Sequence, residues 1–209
     1  MTATTDADPA ETSWSAEELH ALADVLAGLD AADLPVAQLD QLDALERIKS
    51  AAAAAQVLIT AAFADTVEAT DDAHIDPSGI GRRRPPRAMS IGAEVALAVR
   101  TSPYPGEQRV LLSGRLRDDL PGIHHALARG DLSEDKAHAI ARQVAHLDPT
   151  QRARVDTDLT HLTHMPGGLA VLGEEKLRQA VRRSCLRIAT DAETRRHHQA
   201  RGDRHVTTR

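Results

Sequence analysis

Three groups of residues in this sequence are of types that could do chemistry. His161 and His164 stand three apart with Asp158 about one turn earlier, a spacing that on one helix face could hold a metal ion. The last fifteen residues, RRHHQARGDRHVTTR, contain three of the eleven histidines and five arginines, side chains that a metal-dependent nuclease or a phosphoryl-transfer site would use. Arg82, Arg83, Arg84 and Arg87 form the densest cationic cluster. Pro85-Pro86 keeps that cluster extended, as in arms that track phosphates or enter a minor groove.

Each group has an ordinary alternative. The His161/His164 pair lacks a third ligand of matching quality and runs into Met165-Pro166-Gly167-Gly168, so a solvent-facing or hydrogen-bonded pair is the better reading. His124-His125 and His197-His198 are adjacent, point roughly 100° apart on a helix and chelate poorly. The arginine cluster reads equally as a linker kept soluble by charge. The lone Cys185 falls on an apolar stripe and is expected in the core rather than as a nucleophile. The sequence therefore predicts no catalytic residue, no metal and no cofactor.

The elements that must position these residues are helical. Only Trp14, Phe63 and Tyr104 are aromatic, and the remaining apolar residues are mostly Ala and Leu, a composition that favours closely packed helices. Ser15 and Glu18 form a capping box for a helix reaching about Leu29. A long helix is expected from Val36 to about Ala69, with Leu39, Leu42, Leu45, Ile48, Ala52, Ala55, Ile59, Ala62 and Phe63 spaced three and four apart. That stripe suits pairing with another helix, either within the domain or from a second copy.

Residues 70–89 have proline, glycine and charge but no period, and read as a linker. A short helix then leads through Thr101-Ser102-Pro103 into a second helix over about 105–117, the outline of a helix-turn-helix. Arg100, Arg109, Arg115 and Arg117 are expected at its surface, and Pro105-Gly106 is expected to weaken its first turn. Gly130 should close one helix and Ser133 cap the next, whose buried stripe is Ala137, Ile140, Ala141, Val144 and Leu147. Asp148-Pro149 and Gly173-Glu174-Glu175 open two more. An all-α multi-helix bundle follows, with residues 1–14 disordered, 15–69 forming N-terminal helices, 90–190 a helical domain and 191–209 a basic tail.

Charge divides the chain. Residues 1–80 carry 2 basic and 16 acidic side chains, whereas residues 81–209 carry 23 basic and 15 acidic. A basic part behind an acidic one hints at a polyanion partner such as double-stranded DNA, although an acidic half would repel DNA unless it faces away. One cysteine excludes an internal disulfide and a CxxC zinc knuckle. No uninterrupted run of 18 apolar residues occurs and the start is acidic, so a cytoplasmic protein without a membrane partner is expected.

Three stretches, AEVALAVRTSP, RLRDDLPGIHHALARGDLSEDKAHAIARQVAHLDP and EEKLRQAVRRSCLRIATDAETRR, resemble in order the 13E12-repeat family of bacterial proteins. The resemblance covers about residues 40–209. It implies a helical domain of unknown function (DUF222) that commonly precedes an HNH endonuclease domain, often in mobile elements, and it implies no catalytic residue in the helical part. An HNH site needs histidines on a hairpin-plus-helix unit, usually with an asparagine that orients one of them. This chain has no asparagine and no strand-patterned pair, so RRHHQARGDRHVTTR is not read as the nuclease. The chain is expected to be a truncated or decayed member that does not itself cut DNA. Two functions stay open. One is a DNA-binding or targeting module using Arg82, Arg83, Arg84, Arg87, Arg100, Arg109, Arg115 and Arg117. The other is an interaction module, possible as a homodimer through helix 36–69.

Overall fold

The computed structural model describes residues 14–72, 90–163 and 168–205. Among these the chain is all-α, with eight helices, one 3-10 turn and no strand. The helices are α1 (Ala16–Ala27), α2 (Pro35–Asp72), α3 (Ile91–Ala98), α4 (Pro103–Asp118), α5 (Pro121–Ala128), α6 (Glu134–Gln143), α7 (Pro149–Thr163) and α8 (Glu174–His205), with the 3-10 turn Leu169–Val171 before α8. The expected disorder of residues 1–14 falls almost wholly, and most of the 70–89 linker falls, outside the described residues. Helix α2 itself continues to Asp72, three residues past its expected end. Helix α8 runs to His205, so the basic tail is largely a continuation of that helix.

The chain divides into residues 1–43 and residues 44–209. In the first unit Ser15 caps α1 through its hydroxyl, and Glu18 returns the bond to the Ser15 amide at 2.7 Å. The connection to α2 is held by side chains. Gln41 accepts from the Ala32 amide at 2.8 Å and donates to the Asp30 carbonyl, and Gln38 donates to the Ala32 carbonyl at 2.9 Å.

The second unit holds the core. Leu116, Leu120, Ile123, Leu127, Leu132, Ile140, Val144, Val155, Leu159 and Val181 are fully buried in one cluster. Helix α2 enters that cluster through Ala53, Ala54 and Val57. Each large apolar side chain so buried contributes about 1.5–3 kcal/mol. Helix α3 packs on α4, α4 on α5 and α6, α5 on α7, and α8 on α6 and α7.

Local sequence explains two close approaches. A Cβ on Gly106 would stand 2.1 Å from the Gly92 carbonyl oxygen and 2.6 Å from the Ala96 Cβ, so bare glycines let α3 and α4 cross backbone to backbone. Pro105-Gly106 therefore does not weaken the start of α4. The helix begins earlier, at Pro103, and Gly106 is its packing point. The second approach is at Gly122, where a Cβ would meet Thr160 Oγ1 at 2.2 Å and the Asp156 carboxylate at 2.9 Å. Asp156 is buried there and accepts the Gly122 and Ile123 amides, both at 2.9 Å, capping α5 from a distant helix. Burial pushes its carboxyl above the ordinary value, against the two amide donors. The stretch LPGIHHALARGD thus forms a buried helix closed by a left-handed Gly130 at φ 82°, with Asp131 N–H donating to Ala126.

Candidate interaction surfaces

Apolar residues at the surface gather in two places, with Leu97, Tyr104, Leu111, Leu162, Val171 and Leu186 exposed singly elsewhere. The first is the outer face of α2. That helix buries Ala53, Ala54, Val57, Ala61, Ala64 and Val67 on one side. The stripe picked out by its three-four spacing lies opposite, with Ala52, Ala55, Ile59 and Ala62 exposed and Ile59 62% accessible. A helix with two apolar faces offers two stripes to a periodicity search, and the one that fills the core includes Ser50 and Thr60, both buried. Residues 50–64 contain no charged side chain at all. Beside this face lies a groove of about 530 Å³ lined by Arg47, Ile48, Ala51, Ala128, Arg129, Asp131 and Thr163.

The same property makes Pro35–Thr70 long enough, with a mean hydropathy of 1.4 over its most apolar 18 residues, to cross a membrane by length and composition. A count of uninterrupted apolar residues missed it because Ser50, Gln56 and Thr60 break the run. Of the most apolar window, 44% is buried inside the fold, and His124 and Arg109 reach α2 by hydrogen bonds to the Ala54 carbonyl and the Gln56 side chain.

The second place is residues 14–43. Helix α1 buries none of its residues. Trp14, Leu19, Leu22 and Val25 are 41–71% accessible, and Leu34, Val36, Leu39 and Leu42 are 63–72% accessible.

The residues singled out for DNA contact are dispersed. Arg82, Arg83, Arg84 and Arg87 lie outside the described residues. Arg100 is exposed in the α3–α4 turn, in the left-handed region at φ 57°. The three arginines of α4 are tied within the fold rather than displayed. Arg109 donates to Gln56 at 2.8 Å and to Glu134 at 2.7 Å. Arg115 donates to the Ala141 carbonyl at 3.0 Å while its Nε is buried without a partner. Its guanidinium pKa is lowered by burial and by the neighbouring Arg152. Arg117 bridges Asp65 and Asp118, and both carboxylates hold its pKa above the ordinary value. The helix-turn-helix outline is present, but its second helix is locked to α2 and α6 through these groups. By contrast Arg182 and Arg183 are exposed on α8, a position that sequence reading did not single out.

The histidines are likewise absorbed or set apart. Asp158, the partner offered to His161, instead accepts from Ser184 at 2.7 Å and pairs with Arg187. His164 lies outside the described residues, as do the side chains of the histidines in the tail. No group of three or more metal-ligating side chains occurs among the described residues. His138 lies 3.9 Å from Glu134 with its Nε2 buried and unpartnered, and burial lowers its pKa. Cys185 is buried and its thiol is pushed up, as befits a core residue.

A family model described as a domain of unknown function (DUF222) matches residues 42–209. No curated protein and no solved structure matches the chain.

Proposed function

Because this chain belongs to the DUF222 family, whose description carries no activity, we propose from its own surfaces that it is a non-catalytic helical interaction module in which the outer stripe of α2 pairs two copies. The observation that supports this is the uncharged outer face of α2, where Ala52, Ala55, Ile59 and Ala62 alternate three and four apart in solvent. Alanines at a seam let two helices approach closely, and three-four spacing keeps the seam facing a partner. An uncharged stripe also meets its own copy without like-charge repulsion. In the HNH-type systems that the sequence resembles, such a module would hold or position a nuclease rather than supply one. Sedimentation of the full chain should give twice its 22.5 kDa mass, and Ala55→Glu/Ile59→Glu should return it to a monomer of unchanged helicity. Flotation of the chain with lipid vesicles in place of dimerisation would overturn the reading.

A second reading, contact with duplex DNA, is favoured by Arg182 and Arg183. They stand exposed on a helix that continues through Arg195, Arg196, Arg201 and Arg204 in the sequence. Arg82, Arg83, Arg84 and Arg87, outside the described residues, would add further cations. Each phosphate neutralised adds about −0.9 to the slope of log affinity against log salt. Replacing Arg182 and Arg183 with alanine should therefore flatten the slope, while Arg109→Ala should act on stability and leave the slope unchanged. No binding at low salt would remove this reading.

A further inference from the structure

We infer that residues 14–43 form a docking surface for a cationic amphipathic helix of a protein partner. This rests on the reading of the chain as a binding module, but on a surface other than the outer stripe of α2.

Helix α1 is 12 residues long, carries a complete capping box and buries nothing. Helices of that length are marginal in water, and most helical stability in proteins comes from covering an apolar face. The apolar face exists here, since Leu19, Leu22 and Leu26 are spaced three and four apart, with Val25 alongside. Trp14 and Leu19 occupy the two positions of a hydrophobic staple around the Ser15 cap. The glutamine bonds that hold residues 30–32 to the first turns of α2 fix the connection, so the surface is ordered before anything binds. Capping and turn bonds are in place, and among the described residues nothing covers the face.

Charge identifies the cover. Residues 14–43 contain seven acidic side chains and no lysine or arginine. A second copy of this surface would set seven carboxylates against seven, and DNA or an anionic membrane would be repelled likewise. The chain's own basic helix does not fit. On α8 the exposed large apolar residue among those described is Leu186, and residues 191–205 contain no leucine, isoleucine, valine or aromatic residue. What fits is a helix with a leucine-type stripe bordered by lysine or arginine, laid on the apolar face with its cations against Glu18, Asp40 and Asp43, which border that face at helical spacing.

Trp14 is the sole tryptophan and is 55% accessible, so it reports on this surface directly. The probe is a 14-residue helical peptide of leucine and lysine, added to the full-length chain. It should shift Trp14 emission to the blue and saturate, and Leu22→Ser/Leu39→Ser should weaken it at least ~10-fold. Neutralising Asp40 and Asp43, which leaves the Ser15–Glu18 capping box intact, should weaken it as well and reduce its salt dependence. Equal binding of a leucine–glutamate peptide, equal binding of oligoarginine, or an unchanged affinity in the double-serine variant would each overturn the proposal. So would dissociation of a self-associated chain by that variant, because a second copy would then be the cover. Ala55→Glu/Ile59→Glu separates the two surfaces. It should abolish self-association and leave peptide binding intact, so either claim fails without the other.

Discussion

In residues 44–190 most leucines go inward and several charged groups find partners inside the chain, although Leu58, Leu97, Leu111, Leu162 and Leu186 stay exposed. Leu116 and Leu127 are fully buried, Arg109 joins α2 to α6, and Asp156 caps a helix 33 residues away in sequence. In residues 14–43 the same residue types are used the other way round. The leucines face water, the carboxylates are unaccompanied by any lysine or arginine, and hydrogen bonds stop at the caps and the turn. The first region buries one shared core. The second is made of well-formed local structure whose apolar face stays exposed among the described residues, as an interface would be.

The largest effect that would sharpen this contrast is at the α3–α4 crossing. Gly106→Val forces a side chain against the Gly92 carbonyl, so it should cost about 3 kcal/mol and lower Tm by roughly 6–12 °C in a thermal melt. Next is Asp156→Ala, which strips two buried amides at the start of α5 of their acceptor. A loss of about 2 kcal/mol is expected, with Asp156→Asn costing less because one acceptor oxygen remains.

A smaller effect is set by pH. Burial holds the His138 imidazole below its ordinary value of 6.5, so the native state resists a proton that the unfolded chain takes up. The stability this gives is present above about pH 6.5 and is lost as pH falls towards the depressed folded value. Melts between pH 7.5 and 5 should show a decline that is shallower in His138→Gln. The smallest effect belongs to the other region. Leu22→Ser and Leu39→Ser should each change monomer stability by less than about 0.5 kcal/mol. Losses matching those of core leucines would erase the distinction between the regions.

Much of the helical frame was legible because caps are local. Ser15 with Glu18, Gly130 and Asp148-Pro149 each act within a few residues as the spacing indicates, whereas Ser133 stands at the N-cap of α6 without a side-chain cap bond. The stripe Ala137, Ile140, Ala141, Val144 and Leu147 is buried as its periodicity requires. What failed to show was everything carried by residues far apart in the chain. Arg109, Arg115 and Arg117 looked like free cations because Gln56, Glu134, Ala141 and Asp65 are 25 to 53 residues away. Gly106 looked like a flaw in a helix because the neighbouring backbone it admits belongs to another one. On α2 the period was right and its direction stayed open, since alanine on both faces leaves hydrophobicity unable to choose which one enters the core.

The outer stripe of α2 offers the most direct test of the interaction reading. Ala55 lies on that stripe, and in a parallel pair of stripes it faces its own counterpart across the two-fold axis. The native Cys185 is buried, which leaves an introduced thiol as the exposed one. Under mild oxidation Ala55→Cys should form a covalent dimer at low micromolar chain, while Arg154→Cys, exposed on α7, should not. Equal cross-linking at the two positions, or none at position 55, would contradict the parallel pairing of two copies through this helix.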